Sequence, residues 1–304
     1  MAYRCRCFGF SVVALFWLAC SMSIRANDSC LSSAHFANGA TSAPLPGVVR
    51  NENNHVFISA RIIGHDKELR FVFDTGAGRT VIDCRVAASL GLKATDQSSI
   101  GGVGVGRVNV DVVKNASLQF GDVRLDGVDL NLVDDIHESQ GTAGIIGYDL
   151  LCANVVTLDY KKPSIVVTAP SAYQYHGVGD VLPLSFNGRW PYVRGVLKVP
   201  GVDPVTDDFL IDTGSEDAVN HPIIRQSKGS LRETNTGAGG FGQSMRGVIG
   251  PNEWFRIGSA TIPATQSACC AGNDDVNRQL GSAILSHFRI TFNYPARQII
   301  LEKY

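Results

Sequence analysis

The chain states one short phrase twice. "FVFDTGAGRT" spans residues 71–80 and "FLIDTGS" spans residues 209–215, so an apolar run drives into Asp-Thr-Gly at Asp74 and again at Asp212. A carboxylate placed against buried surface is costly unless its surroundings are built for it. The context repeats with the tripeptide. Strand-like "HVFISARIIG" precedes the first copy and "RWPYVRGVLKV" the second; Gly101-Gly102 begins 27 residues after Asp74, and Gly239-Gly240 begins 27 residues after Asp212. Each half closes alike, with a Tyr 13 residues after a Gly (Gly147 to Tyr160, Gly281 to Tyr294), a Pro-containing turn (Pro163, Pro295) and an apolar strand. A duplication of a unit of about 120 residues follows, an ordinary domain size. Two equivalent units in one chain are best arranged about a pseudo-twofold axis, the covalent form of a symmetric dimer, and the two Asp residues can then meet.

Short Val/Ile/Leu/Phe segments punctuated by Gly, Asp and Asn dominate the 304 residues, and helix-favouring runs are few, which reads as mostly β with short helices. The boundaries read as a lobe over 51–168, a linker over 169–181 and a second lobe over 182–304. Residues 27–50 read as a flexible lead-in. With 27 basic and 28 acidic residues the charge balances, which gives no electrostatic case for nucleic acid or an anionic membrane surface.

Residues 1–26 have the layout of a secretory signal peptide: two Arg in "MAYRCRC", the apolar "FGFSVVALFWLA", then small residues ending at Ala26. The apolar run is short for a bilayer span, so a periplasmic or secreted protein with no stable membrane span is expected. Lipid anchoring at Cys20 is an alternative. Beyond Ala26 the cysteines are Cys30, Cys84, Cys152, Cys269 and Cys270. Export favours pairing among them, but five is odd and two are adjacent, so the connectivity stays open. There is no Cys-x-x-Cys and no His cluster, and neither a metal nor another cofactor is expected.

As a doubled and ordered set, the apolar-Asp-Thr-Gly-Ala/Ser loops, the Gly-rich stretches and the apolar-apolar-Gly segments "IIGYDLL" and "QLGSAIL" resemble the aspartic proteases, in particular the retropepsin-like, two-lobed bacterial type. The resemblance covers roughly residues 50–304. It implies an all-β fold of two acid-protease-like β-barrel lobes related by a pseudo-twofold axis, with the active-site cleft between them, in a monomer that is its own internal dimer. It implies an endopeptidase for peptide or protein substrates, in which Asp74 and Asp212 activate a water. A retained fold that binds peptides without cutting them is the alternative.

The neighbouring residues acquire roles from the same resemblance. Gly76 and Gly214 permit the tight loop, and Thr75 and Thr213 lock the two loops across the axis. Ala77 and Ser215 occupy the next position, where the Ser215 hydroxyl is expected to donate to its carboxylate, leaving Asp212 the more acidic partner and Asp74 the holder of the shared proton. "GGVGVG" (Gly101, Gly102, Gly104) and "GGFG" (Gly239, Gly240, Gly242) are the implied flaps. Gln279 stands where the first copy has an apolar residue, so a weaker support is expected under the second loop. A Cys84–Cys152 disulfide is expected to clamp the first.

Overall fold

The computed structural model describes residues 30–102, 106–134, 136, 141–236, 245–263, 265–270 and 278–304. It is mostly β, with several sheets and only short helices. Alternation on the strands explains the packing. In Trp190–Lys198 every second residue from Pro191 to Leu197 is turned inward and buried, the pattern of a strand with one face on a core. Val56–Ile62 and Leu69–Phe73 are buried on both faces over most of their length, as their near-continuous apolar sequences require.

Residues from the first half form a nine-stranded sheet. In its centre Gly144–Ile146 runs parallel to Leu69–Phe73 on one side and antiparallel to Val81–Asp83 on the other, and Val123–Val133 runs parallel to Val81–Asp83. The ten-stranded sheet of the second half repeats these neighbours and senses: Gln279–Leu280 is parallel to Val205–Ile211 and antiparallel to Val219–Asn220, which is parallel to Gln266–Cys269. The register matches too. Ile146 lies opposite Phe73, the residue before Asp74, and Leu280 lies opposite Ile211, the residue before Asp212.

A six-stranded sheet interleaves the halves. Val155–Asp159 pairs with Phe288–Asn293 and with Ser164–Thr168, while Gln298–Lys303 lies between Phe288–Asn293 and Asp180–Pro183. One continuous apolar cluster runs from Ala43 to Leu301 through all three sheets, with Phe71, Phe73, Phe209 and Phe292 among its fully buried rings. Among the described residues no helix is long and apolar enough to cross a membrane.

Residues 30–50 are not the loose lead-in that their composition suggests. Ser33–Phe36 pairs with Val123–Val133, Ser42–Pro44 with Ser164–Thr168 and Val49–Arg50 with Val56–Ile62. Strands of four, three and two residues carry too few side chains to display a period in sequence. The linker is shorter than expected as well, since Asp180 already belongs to a strand. Residues 1–26, with Cys20, lie outside the described residues.

Candidate active site

Each Asp-Thr-Gly loop is a strand end held by its neighbour. Asp74 N donates to Ile146 O at 2.9 Å and Asp212 N to Leu280 O at 3.0 Å, continuing the parallel ladders by one bond. The chain then turns: Ala77 N returns to Asp74 O at 3.1 Å and Ser215 N to Asp212 O at 3.3 Å. The turn is closed from below by Tyr148 N on Ala77 O at 3.0 Å and Ser282 N on Ser215 O at 2.7 Å. Here lies the reason for apolar-apolar-Gly. A Cβ on Gly147 would sit 1.9 Å from Asp74 O, and one on Gly281 would sit 2.1 Å from Asp217 O.

The two loops meet. A Cβ on Gly76 would fall 2.6 Å from Asp212 Cγ, and one on Gly214 would fall 2.4 Å from Asp74 Cγ, so each glycine makes room for the opposite carboxyl. Gly76 N donates to Asp74 Oδ1 and Gly214 N to Asp212 Oδ1, both at 2.8 Å. The two carboxyl groups therefore lie side by side, close enough for each to act on the ionisation of the other. Beneath them the threonines cross over. Thr75 Oγ1 donates to Ile211 O at 2.7 Å and accepts from Thr213 N at 3.1 Å. Thr213 Oγ1 donates to Phe73 O at 2.9 Å and accepts from Thr75 N at 3.0 Å. Both threonines are buried, at 1% and 0% exposure.

Burial raises both carboxyl groups above the ordinary carboxylate range, and the charge of Asp74 pushes Asp212 further up. The pair therefore titrates as a unit holding one proton between two groups. The expected donor differs. The side chain donating to Asp212 Oδ2 is the Gln279 amide, not the Ser215 hydroxyl. Gln279 is buried in the centre of its sheet, so it is a full part of the support rather than a weak spot. The departure from the apolar pattern at this position marks a donor to the carboxyl and not a weaker support.

Other groups touch the electrostatics of the pair. Asp217, five residues after Asp212, is pushed up to about 6 by burial, then by Glu216 and Asp212. The Tyr160 and Tyr294 hydroxyls are buried, which raises both and keeps them neutral. These are the tyrosines that the duplication placed at equivalent positions.

Both Gly-rich stretches join antiparallel strands. Asp96–Ile100 pairs with Val108–Phe120, with Gly101 and Gly102 partly buried at the start of the connection. Arg232–Thr236 pairs with Met245–Pro251. Gly104, Gly239, Gly240 and Gly242 lie outside the described residues.

The disulfide expected between Cys84 and Cys152 is not formed. Cys152 is bonded to Cys30, tying the residue 30 segment to the helix that follows Gly147. Cys84 instead opens the helix Cys84–Ser89 and directs its thiol at Asp134 Oδ1. Cys30 comes within reach because Ser33–Phe36 is a strand, which its four residues do not announce. Cys269 and Cys270 are bonded to each other.

Residues 58–150 match the family model for aspartyl proteases. That stretch carries Asp74, Thr75, Gly76 and Ala77 together with the Gly147 support, and it is an aspartyl protease domain of retropepsin-like type. The second Asp-Thr-Gly lies beyond the matched stretch. Among curated proteins none matches the chain.

Proposed function

We propose that the chain is an aspartic endopeptidase of two homologous β lobes related by a pseudo-twofold axis, with Asp74 and Asp212 as its catalytic pair. The observation that carries this reading is the contact of the two carboxyl groups, supplied by two copies of one loop and held by reciprocal threonine bonds. Peptide hydrolysis without a metal needs one group to take a proton from water and another to give one to the carbonyl oxygen. A carboxylate and a carboxylic acid side by side do both. Water bound between them loses a proton to the ionised partner as its oxygen attacks the carbonyl carbon, and the protonated partner delivers its proton to the carbonyl oxygen. Collapse of the tetrahedral intermediate breaks the C–N bond, with the departing amine taking up a proton from the pair. No acyl-enzyme forms, so no Ser or Cys nucleophile is needed.

The two Gly-rich hairpins serve as flaps that close over an extended peptide and exclude water. Residues 1–26 direct export, which agrees with a disulfide between Cys30 and Cys152. The test is hydrolysis of an unfolded protein between about pH 3 and pH 7, the span over which a carboxyl pair titrates, by the mature chain and by Asp74→Asn and Asp212→Asn. Cleavage by the wild type, abolished by either substitution alone, is expected. Equal peptide binding by all three proteins with no cleavage by any would replace the endopeptidase with a peptide-binding protein of the same fold.

A further inference from the structure

Equivalent strand positions of the two halves, one strand over from the residues that lead into the carboxyl pair, carry different side chains. Ile145 lies opposite Val72, two residues before Asp74, and Gln279 lies opposite Leu210, two residues before Asp212. Ile145 packs on an apolar cluster with Val81, Val110 and Val133. Gln279 is 3% exposed, and its amide donates to Asp212 Oδ2. A primary amide at such a position costs stability relative to a hydrocarbon unless it is hydrogen-bonded, and the first half shows that a hydrocarbon suffices for the fold. The amide is also rigidly presented. Its strand is flanked by Val205–Ile211 and Val219–Asn220, and the preceding Arg278 is tied to the first of these through its carbonyl to Leu210 N at 2.7 Å and its guanidinium to Asp207 at 2.7 Å.

We propose that Gln279 is a positioning residue of the carboxyl pair: by donating to Asp212 Oδ2 it orients that carboxyl and favours ionisation of the pair, a device built into one half only. This rests on the endopeptidase reading for its meaning, though not for its test. Asp212 Oδ1 is held by Gly214 N and Oδ2 by Gln279, so both of its oxygens are fixed. Asp74, by contrast, accepts from a backbone group, Gly76 N at 2.8 Å. A donor to an ionised carboxylate opposes the effect of burial, so Gln279 draws the onset of the singly ionised, active form to lower pH. Among the described residues the other titratable groups that bear on the pair are Asp217, with Glu216 beside it on the loop after Asp212, and the buried, neutral Tyr160 and Tyr294 hydroxyls, with Arg50 acting on Tyr160.

The test replaces Gln279 with Met and, separately, with Leu, two apolar side chains of similar size, so that one is at hand if the other folds poorly. Each is made in the wild type and in Asp217→Asn, which removes the titration of Asp217. Two readouts are taken: the pH dependence of peptide hydrolysis, and ¹³C NMR titration of the Asp carboxyl carbons, assigned with Asp212→Asn. The expected result is an upward move of the acidic limb and of the NMR titration of the pair by about one pH unit. At a pH on that limb kcat falls about tenfold while KM stays within about twofold. Titration of the pair at the wild-type position in a folded variant overturns the proposal. So does a loss of kcat that is uniform across pH, which marks a merely structural role. If the wild type cuts nothing, the endopeptidase reading fails, and the NMR titration still decides what Gln279 does.

Discussion

Thr75→Val removes one hydroxyl from the crossing beneath the two carboxyl groups and changes almost nothing in volume. Two buried backbone groups lose their partner: Ile211 C=O, which accepts from Thr75 Oγ1, and Thr213 N–H, which donates to it. Thr75 and Thr213 are 1% and 0% exposed, so water does not take the hydroxyl's place. Each buried, unsatisfied group costs about 1–3 kcal/mol, which gives about 2–6 kcal/mol for the substitution. Thr75→Ser is the control. It keeps both hydrogen bonds and loses one buried methyl, a cost of about 1 kcal/mol. Urea unfolding at constant pH, with the slope checked for each variant, reads the difference. Thr75→Val is expected to lie well below Thr75→Ser, and Thr213→Val to behave alike. Combining the two Val substitutions is expected to cost less than the sum, since both act on one network. Valine and serine variants that unfold within about 1 kcal/mol of each other would refute the reasoning, because the hydroxyls would then carry no more than their methyls.

Gly76→Ala is expected to fold but to lose at least about 10²-fold in activity, because its Cβ would sit 2.6 Å from Asp212 Cγ; kinetics on a peptide substrate together with a thermal scan check it. Breaking the Cys30–Cys152 bond by Cys30→Ser opens a constraint across a sequence separation of 122; a loss of roughly 4–5 kcal/mol is expected from chain entropy, read by unfolding with and without reductant. Asp217 gives a pH signature. Its folded-state pKa is about 6 against an ordinary 3.8, so the native state holds the proton more tightly and its ionisation disfavours the fold. Wild-type stability is therefore expected to fall relative to Asp217→Asn as pH rises from 3.8 to about 6, and to stay lower above that. The difference is on the order of 2 kcal/mol after allowance for partial exposure, and urea midpoints across that range measure it.

What was legible in the sequence is what the sequence repeats. The doubled loop, the doubled Gly147/Gly281 support and the doubled Tyr160/Tyr294 are local patterns at fixed spacing, and they bring Asp74 to Asp212 without knowledge of any strand partner. What was illegible depends on partners far apart in the chain. The two-residue strand Val49–Arg50 and the three-residue strand Ser42–Pro44 have no period to read, so the residue 30–50 segment looks loose and Cys30 looks remote from Cys152. Gln279 fell between the two. Its departure from the apolar pattern was visible, but whether a polar residue there weakens a support or serves a carboxylate depends on where the amide points.

The interleaved six-stranded sheet sets an order on assembly. Val155–Asp159 leaves the ribosome well before Phe288–Asn293, the strand that lies against one of its edges. Until that later strand arrives, the edge presents unpaired N–H and C=O groups, the kind that recruit strands from other molecules. The first half therefore waits, incomplete, for more than a hundred residues of further synthesis. Contacts so distant in sequence make for slow folding, and the interval in which the open edge needs protection is written into the topology.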